Sequence, residues 1–148
     1  NQNDIFDAES FDSAFYPDDY RDLAVRLITH ENKVSSIEIN FEDKITKLEK
    51  KGNDWKIGTN IAKKDRVDFF LNDLKTLKAS DILLKDTLIA QVISGYISVK
   101  ENNLEKKITF YSSDKDNYLA KSSTSDSVFQ IPTVYVSSLK KERKDFVE

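Results

Sequence analysis

Hydrophobic positions in this chain follow two rhythms, and the change from one to the other marks its elements. Over residues 62–78, Val67, Phe70, Leu71, Leu74 and Leu77 recur at helical spacing. Lys64, Asp65, Asp68, Asn72, Asp73, Lys75 and Lys78 fill the opposite side. This predicts an amphipathic helix about 25 Å long at 1.5 Å per residue, with Thr59 or Asn60 as its cap. One face of it is built to be buried.

Before that helix the period is two. From Val34, the side chains of Ile37, Ile39 and Phe41 point one way and those of Ser36, Glu38 and Asn40 the other, which predicts a half-buried strand. A turn at Glu42 and Asp43 leads to Ile45 and Leu48 within KITKLEKK, and Gly52-Asn53 reverses the chain into Trp55 and Ile57. The prediction is an antiparallel meander that ends on the chain's only tryptophan.

The second half repeats this logic. Tyr96, Ile97 and Val99 predict one strand, Ile108, Phe110 and Ser112 a second, and residues 118–121 a third. The serine-rich SSTSDS turn, residues 122–127, feeds a fourth built on Val128, Phe129 and Ile131. A last helix is expected from about Thr133, with Tyr135, Leu139 and Phe146 facing inward. Residues 80–93 are too continuously apolar to show a period, so a strand, a short helix or one of each all fit.

An N-terminal helix is expected as well. Pro17, Asp18 and Asp19 suit a helix start, with acids at the positive end of its dipole. Tyr20, Leu23, Ala24, Leu27 and Ile28 would form its buried stripe, ending near residues 30–32. The expected fold class is therefore α+β: two antiparallel sheet-plus-helix units, each a meander followed by a helix, packed as one domain behind an N-terminal helix.

Composition narrows the classes. A chain of 148 residues can bury roughly 70% of its unfolded surface around one core. We expect residues 18–148 to be a single domain, preceded by an arm over residues 1–17. Up to Asp22, seven acids (Asp4, Asp7, Glu9, Asp12, Asp18, Asp19, Asp22) stand against Arg21 alone, with Phe6, Phe11, Phe15 and Tyr16 between them. Such an arm reads as a solvated tether whose aromatics rest on the domain, or as a motif that binds a partner.

The net charge of −3, with both signs interspersed, argues against a nucleic-acid binder, which needs a concentrated basic footprint. There is no cysteine, so disulfides, thiolate zinc sites and thiol nucleophiles drop out together. There is also no methionine, even at position 1, which leads to the expectation that the chain begins downstream of its natural start. No apolar run reaches the 18 or so residues of a membrane span; the longest is interrupted by Lys85, Asp86 and Gln91.

Candidate chemistry is sparse. His30 is the sole histidine and sits where a helix end is predicted, so a charge-compatible cap is favoured over a catalytic base or metal ligand. Gly52, Gly58 and Gly95 cannot make a phosphate-cradling loop. Two basic clusters (Lys44, Lys47, Lys50, Lys51 and Lys140, Lys141, Arg143, Lys144) are interleaved with acids and read as solvated faces, with contact to anionic lipid the alternative. Trp55 reads as core, with sugar stacking the alternative. No catalytic, cofactor-binding or metal site is expected.

Taken in this order, the strand-like segments SSIEINF and ITKLEKKG, the tryptophan entry DWKI and the helix AKKDRVDFFLNDLKTLKA resemble the bacterial domain-of-unknown-function 4340 family. The later segments KKITFYSS, DNYLAKSSTSDSVFQIP and VSSLKKERKDF extend the resemblance over residues 34–146. ISGYISV and ITFYSS depart from it, since members carry a Gly-Leu-Pro type segment and a strand glycine in that region. The resemblance implies an uncharacterised extracytoplasmic domain, periplasmic or in the cell envelope, held by an N-terminal membrane anchor that precedes this chain. It further implies a non-enzymatic accessory or scaffold of an ABC-type transport assembly, with transporter subunits as partners and no cofactor. The alternative expectation is an extracytoplasmic binding module for lipid, peptide or glycan.

Overall fold

The computed structural model describes residues 23–83 and 92–147. Alternating segments of the first half become β1 (Val34–Phe41), β2 (Lys44–Lys51), β3 (Asp54–Ile57) and the two-residue β4 (Asn60–Ile61). The β1–β2 reversal is a two-residue turn in which Glu42 and Asp43 hold φ of 53° and 63°, the left-handed geometry whose twist matches that of the flanking strands. Helix α1 (Lys64–Lys75) follows, then the short β5 (Asp81–Leu83). The second half supplies β6 (Ile93–Glu101), β7 (Leu104–Ser112), β8 (Asn117–Ser122) and β9 (Val128–Pro132), then α2 (Thr133–Ser137) and α3 (Arg143–Val147).

These strands form one sheet, not two. Its order is β4-β3-β2-β1-β6-β7-β8-β9-β5, antiparallel throughout. The expected pair of sheet-plus-helix units is corrected here: β1 and β6 pair with each other from Phe41↔Gly95 to Val34↔Glu101, which joins both meanders through their first strands. Each of those strands would otherwise present an unpaired apolar edge, and mutual pairing removes both edges at once. The result is a sheet-rich fold with few, short helices.

The expected N-terminal helix is also corrected. Its start lies outside the described residues, and residues 23–30 contain no helix. Instead Ala24 bridges Lys78 in antiparallel fashion, with the Val25 N–H donating to the Leu77 carbonyl (3.1 Å) and the Ala79 N–H to the Leu23 carbonyl (2.8 Å). Arg26 sits at φ 55°, which no right-handed helix permits. Only a 3₁₀ turn, Glu31–Lys33, remains near the expected helix end. Val25, Leu27 and Ile28 are nevertheless buried, so the apolar residues reach the core by another backbone path.

Register builds the inner face row by row. Thr46, Ile39, Ile97, Ile108 and Ser122 lie side by side across five strands, and beside them run Phe41, Gly95, Phe110, Ala120 and Phe129. Gly95 is required in its row: an added Cβ would lie 2.4 Å from both Phe41 Cδ1 and the Asn40 carbonyl oxygen. Its missing side chain lets the Phe41 ring lie over the strand and meet Phe110 at 5.6 Å between centroids. Val67, Phe70, Leu71 and Leu74 of α1 are buried in the same core, and Phe70 meets Phe146 of α3 edge-on at 6.0 Å. The helix is thus held by the sheet beneath it, as a 12-residue helix must be.

Two inward positions change, and the open segment resolves in part. Ile45 is exposed and Thr46 takes its place, because Ile45 and Leu48 are three residues apart and cannot share a face at period two. The final helix is broken into α2 and α3, so Tyr135 is exposed while its neighbour Val136, with Leu139 and Phe146, is buried. Of residues 80–93, β5 pairs with β9 and the start of β6 pairs with β7; residues 84–91 lie outside the described residues.

Candidate functional site

Helices cover one face of the sheet; among the described residues no helix or strand lies over the other. Its side chains come from the alternate positions of the central strands: Ser36, Glu38 and Asn40 from β1, Lys47 and Glu49 from β2, Tyr96, Ser98 and Lys100 from β6, Glu105, Lys107 and Thr109 from β7. Glu38 stands directly opposite both Lys47 and Ser98, which puts the acid at the middle of a cross-strand row.

Those residues are joined by polar contacts. The Tyr96 hydroxyl donates to Glu38 Oε2, Lys47 Nζ lies 3.7 Å from Glu38 Oε1, and Lys107 Nζ sits 4.2 Å from the centroid of the Tyr96 ring. On the next row the Ser98 hydroxyl donates to Glu105 Oε2 at 2.9 Å. The hydrogen bond to the Glu38 carboxylate, above all, holds the Tyr96 phenol above its ordinary range, so at neutral pH it is a hydrogen-bond donor and not a base. Beside this network the face hollows into a groove of about 610 Å³, lined by Glu38, Lys47, Glu49, Lys56, Lys100 and Glu105 among others. Both signs of charge line it. That suits recognition of a polar, extended molecule better than an apolar chain.

Of the residues singled out by sequence for candidate chemistry, Lys47 and Gly58 line this groove and the others lie elsewhere. His30 is exposed, with Nδ1 3.0 Å from Thr29 Oγ1, and caps no α-helix; the correction follows from the missing N-terminal helix. Trp55 is 5% exposed and belongs to the core, its carbonyl accepting from the Ala62 N–H at 2.8 Å. Two of the SSTSDS hydroxyls serve their own turn, Ser122 Oγ accepting from the Thr124 N–H (3.1 Å) and Ser125 Oγ from the Ser127 N–H (3.1 Å), while Ser123 Oγ accepts from the Lys107 N–H of β7 (2.9 Å).

The two basic clusters, far apart in sequence, touch only at their ends, through Lys44 and Lys140. Lys44 Nζ is 3.5 Å from Glu142 and Lys140 Nζ 3.7 Å from Glu42, while Lys140 also donates to the Tyr118 hydroxyl (2.8 Å) and lies 5.5 Å from the Phe41 ring centroid. These contacts tie the β1–β2 turn to the segment between α2 and α3.

Glu101 is the one buried acid among the described residues, and it lies on the inner face. Burial pushes its pKa up, but Lys106 and the backbone N–H groups of His30 and Thr29 outweigh that and bring it from 4.5 down to about 2. This carboxylate latches the incoming chain to the end of β6. It is an architectural group, ionised and fully partnered, not a poised acid.

Among the described residues no three His, Cys, Asp or Glu side chains are grouped to hold a metal ion. Tyr96 was not singled out from the sequence, where it was grouped with Ile97 and Val99. The period-two parity that separates Tyr96 from Ile97 could have marked it as outward-facing. Compared with known proteins, the chain matches no family model, no curated protein and no solved structure.

Proposed function

We propose that this chain is a non-enzymatic binding domain that holds a protein partner across its open sheet face. The observation that carries the reading is the groove of about 610 Å³ over the central strands, polar, of mixed charge and backed by a rigid hydrogen-bonded ladder. An extended polypeptide offers amides and charges of both signs at a spacing that such a surface can meet. A lipid tail would need an enclosed apolar cavity instead. The ring of Tyr96, fixed between Glu38 and Lys107, gives the surface one rigid aromatic contact point.

The resemblance to the domain-of-unknown-function 4340 family supplies a setting for this binding. In that setting the domain is a membrane-tethered, extracytoplasmic accessory, and the partner is a subunit of an ABC-type transport assembly. The test is site-specific photocrosslinking of the full-length protein in its native membranes, with the crosslinker in place of Ser98 in one sample and of Asp68, on the helix side, in another. Recovery of transport subunits from the Ser98 position and not from Asp68 is the expected result. Crosslinks from Asp68 alone would refute the sheet face as the site. Crosslinks from Ser98 to proteins unrelated to transport would keep the binding surface and overturn the setting. Tyr96→Phe, which removes only the hydroxyl, should weaken the Ser98 crosslink without lowering stability by more than about 1.5 kcal/mol.

A further inference from the structure

Strand register lays one row of side chains across the groove on the open sheet face. From β3 to β7 it runs Lys56, Glu49, Ser36, Lys100, Glu105, each directly opposite the next, and all five line the groove. The charges are plus, minus, neutral, plus, minus. Taken from the other end they are minus, plus, neutral, minus, plus. Every charge therefore meets its opposite when the row is laid face to face on a reversed copy of itself, with Ser36 at the centre.

These charges are open to a partner. Among the described residues the side chains of Glu49, Lys56 and Lys100 make no hydrogen bond or ion pair, although register sets Glu49 beside Lys56 and Lys100 beside Glu105. Glu105 accepts from the Ser98 hydroxyl alone. Glu49 and Lys100 are both exposed and flank Ser36, about 10 Å apart at ordinary strand spacing.

Reversing the row is the operation of a two-fold axis that lies between two stacked sheets and runs along β1. Stacked sheets lie about 10 Å apart, a gap that an extended lysine and an extended glutamate close from opposite sides. Across it Lys100 faces Glu49 of a second copy and Lys56 faces its Glu105, and symmetry makes each contact twice. In the neighbouring row Lys47 faces Ser98 of the second copy. Glu38 meets its own copy there, but its carboxylate is already held by the Tyr96 hydroxyl and by Lys47 at 3.7 Å. The five strands offer on the order of 600 Å² per copy at normal spacing and rise, the lower end for a specific interface. A pair of that size forms reversibly.

We propose that the open sheet face pairs with a second copy of this chain about a two-fold axis along β1, through reciprocal Lys100–Glu49 and Lys56–Glu105 ion pairs. The inference rests on the reading of this face as a protein-binding surface and adds its regulation: self-association covers the groove, and another partner reaches it by displacing the second copy.

Sedimentation equilibrium of the purified full chain tests the pairing. Wild type is expected to show a monomer–dimer equilibrium that weakens as salt rises. Lys100→Glu alone and Glu49→Lys alone each set like charges face to face twice per dimer, and each should weaken the dimer by at least about tenfold. An equimolar mixture of the two variants restores opposite charges at both contacts and should dimerise about as tightly as wild type. Lys56→Glu and Glu105→Lys make a second such set. All but Lys56 are fully exposed, so the variants should fold, as circular dichroism checks. A wild type that is monomeric at about 1 mM would overturn the proposal, as would variants that dimerise like wild type, or folded variants whose mixture stays monomeric. The Ser98 crosslink in native membranes is read separately. Transport subunits recovered there beside a monomeric chain would sink the dimer and leave the proposed function standing, whereas a dimer whose Ser98 crosslinks only to its own copy would do the reverse.

Discussion

Glu101 permits the sharpest test of this architecture, because one carboxylate holds three elements together. Its Oε2 accepts from the Thr29 N–H at 3.0 Å, from the Thr29 hydroxyl at 3.3 Å and from the His30 N–H, while Oε1 accepts from Lys106 on β7. Folding lowers its pKa from 4.5 to about 2, so the folded state favours the charged form. The sign follows: the contribution is complete above pH 4.5 and is lost as pH falls through that value towards 2. At 1.36 kcal/mol per unit the difference corresponds to about 3 kcal/mol. Glu101→Gln keeps the shape but removes the charge, leaving Lys106, whose side chain is 21% exposed, without its counter-ion. Urea unfolding of wild type and variant should therefore differ by about 3 kcal/mol near pH 7, a midpoint shift of roughly 1–3 M. The gap should narrow steadily below about pH 4.5 as the wild-type carboxylate protonates. In hydrogen exchange, the Thr29 and His30 amides should lose protection before the β1–β6 ladder does. A variant within about 0.5 kcal/mol of wild type at neutral pH, or a gap unchanged by acid, would refute the latch.

Three further substitutions probe the packing. Leu74→Ala, at a position with no exposed surface, should cost about 2–5 kcal/mol by chemical denaturation; an unchanged midpoint would mean that α1 is docked on another face. Trp55→Ala should cost about 3–5 kcal/mol because its side chain is core, whereas intact stability with lost partner binding would return it to a recognition role. Gly95→Ala places a Cβ 2.4 Å from the backbone oxygen of Asn40 as well as from the Phe41 ring, so it should destabilise by about 1–3 kcal/mol or more. Adding Phe41→Leu should recover only part of the loss, since the carbonyl cannot move away; full recovery in thermal melts would show that the ring alone sets the constraint.

Strands were legible in the sequence wherever one face is buried and the other wet, because burial then writes a period of two. β1 and β7 were read in this way, and the stripe of Val67, Phe70, Leu71 and Leu74 identified α1 for the corresponding reason at a period of 3.6. The groove was not legible. Its outward residues come from β1, β2, β3, β6 and β7, up to 69 positions apart between Ser36 and Glu105, and only register brings them side by side. The same holds for Lys140, whose partners Tyr118 and Glu42 lie far from it in the sequence.

What the sequence by itself determined is local: which short segments are amphipathic, at which period, and where Gly52 or a polar pair such as Glu42-Asp43 reverses the chain. Tertiary structure decided how those segments combine. Tyr20, Leu23, Ala24, Leu27 and Ile28 carry a helical spacing, yet within residues 23–30 the backbone is taken up by Lys78, by Leu77 and Ala79, and by the Glu101 carboxylate. Those long-range hydrogen bonds replace the ones that a helix would have supplied. Likewise two meanders, each complete as a pattern, became one sheet because β1 and β6 satisfy each other's edges. Periodicity records which side of an element is buried; which surface buries it is a property of contacts between residues far apart in the chain, and those form only in the folded molecule.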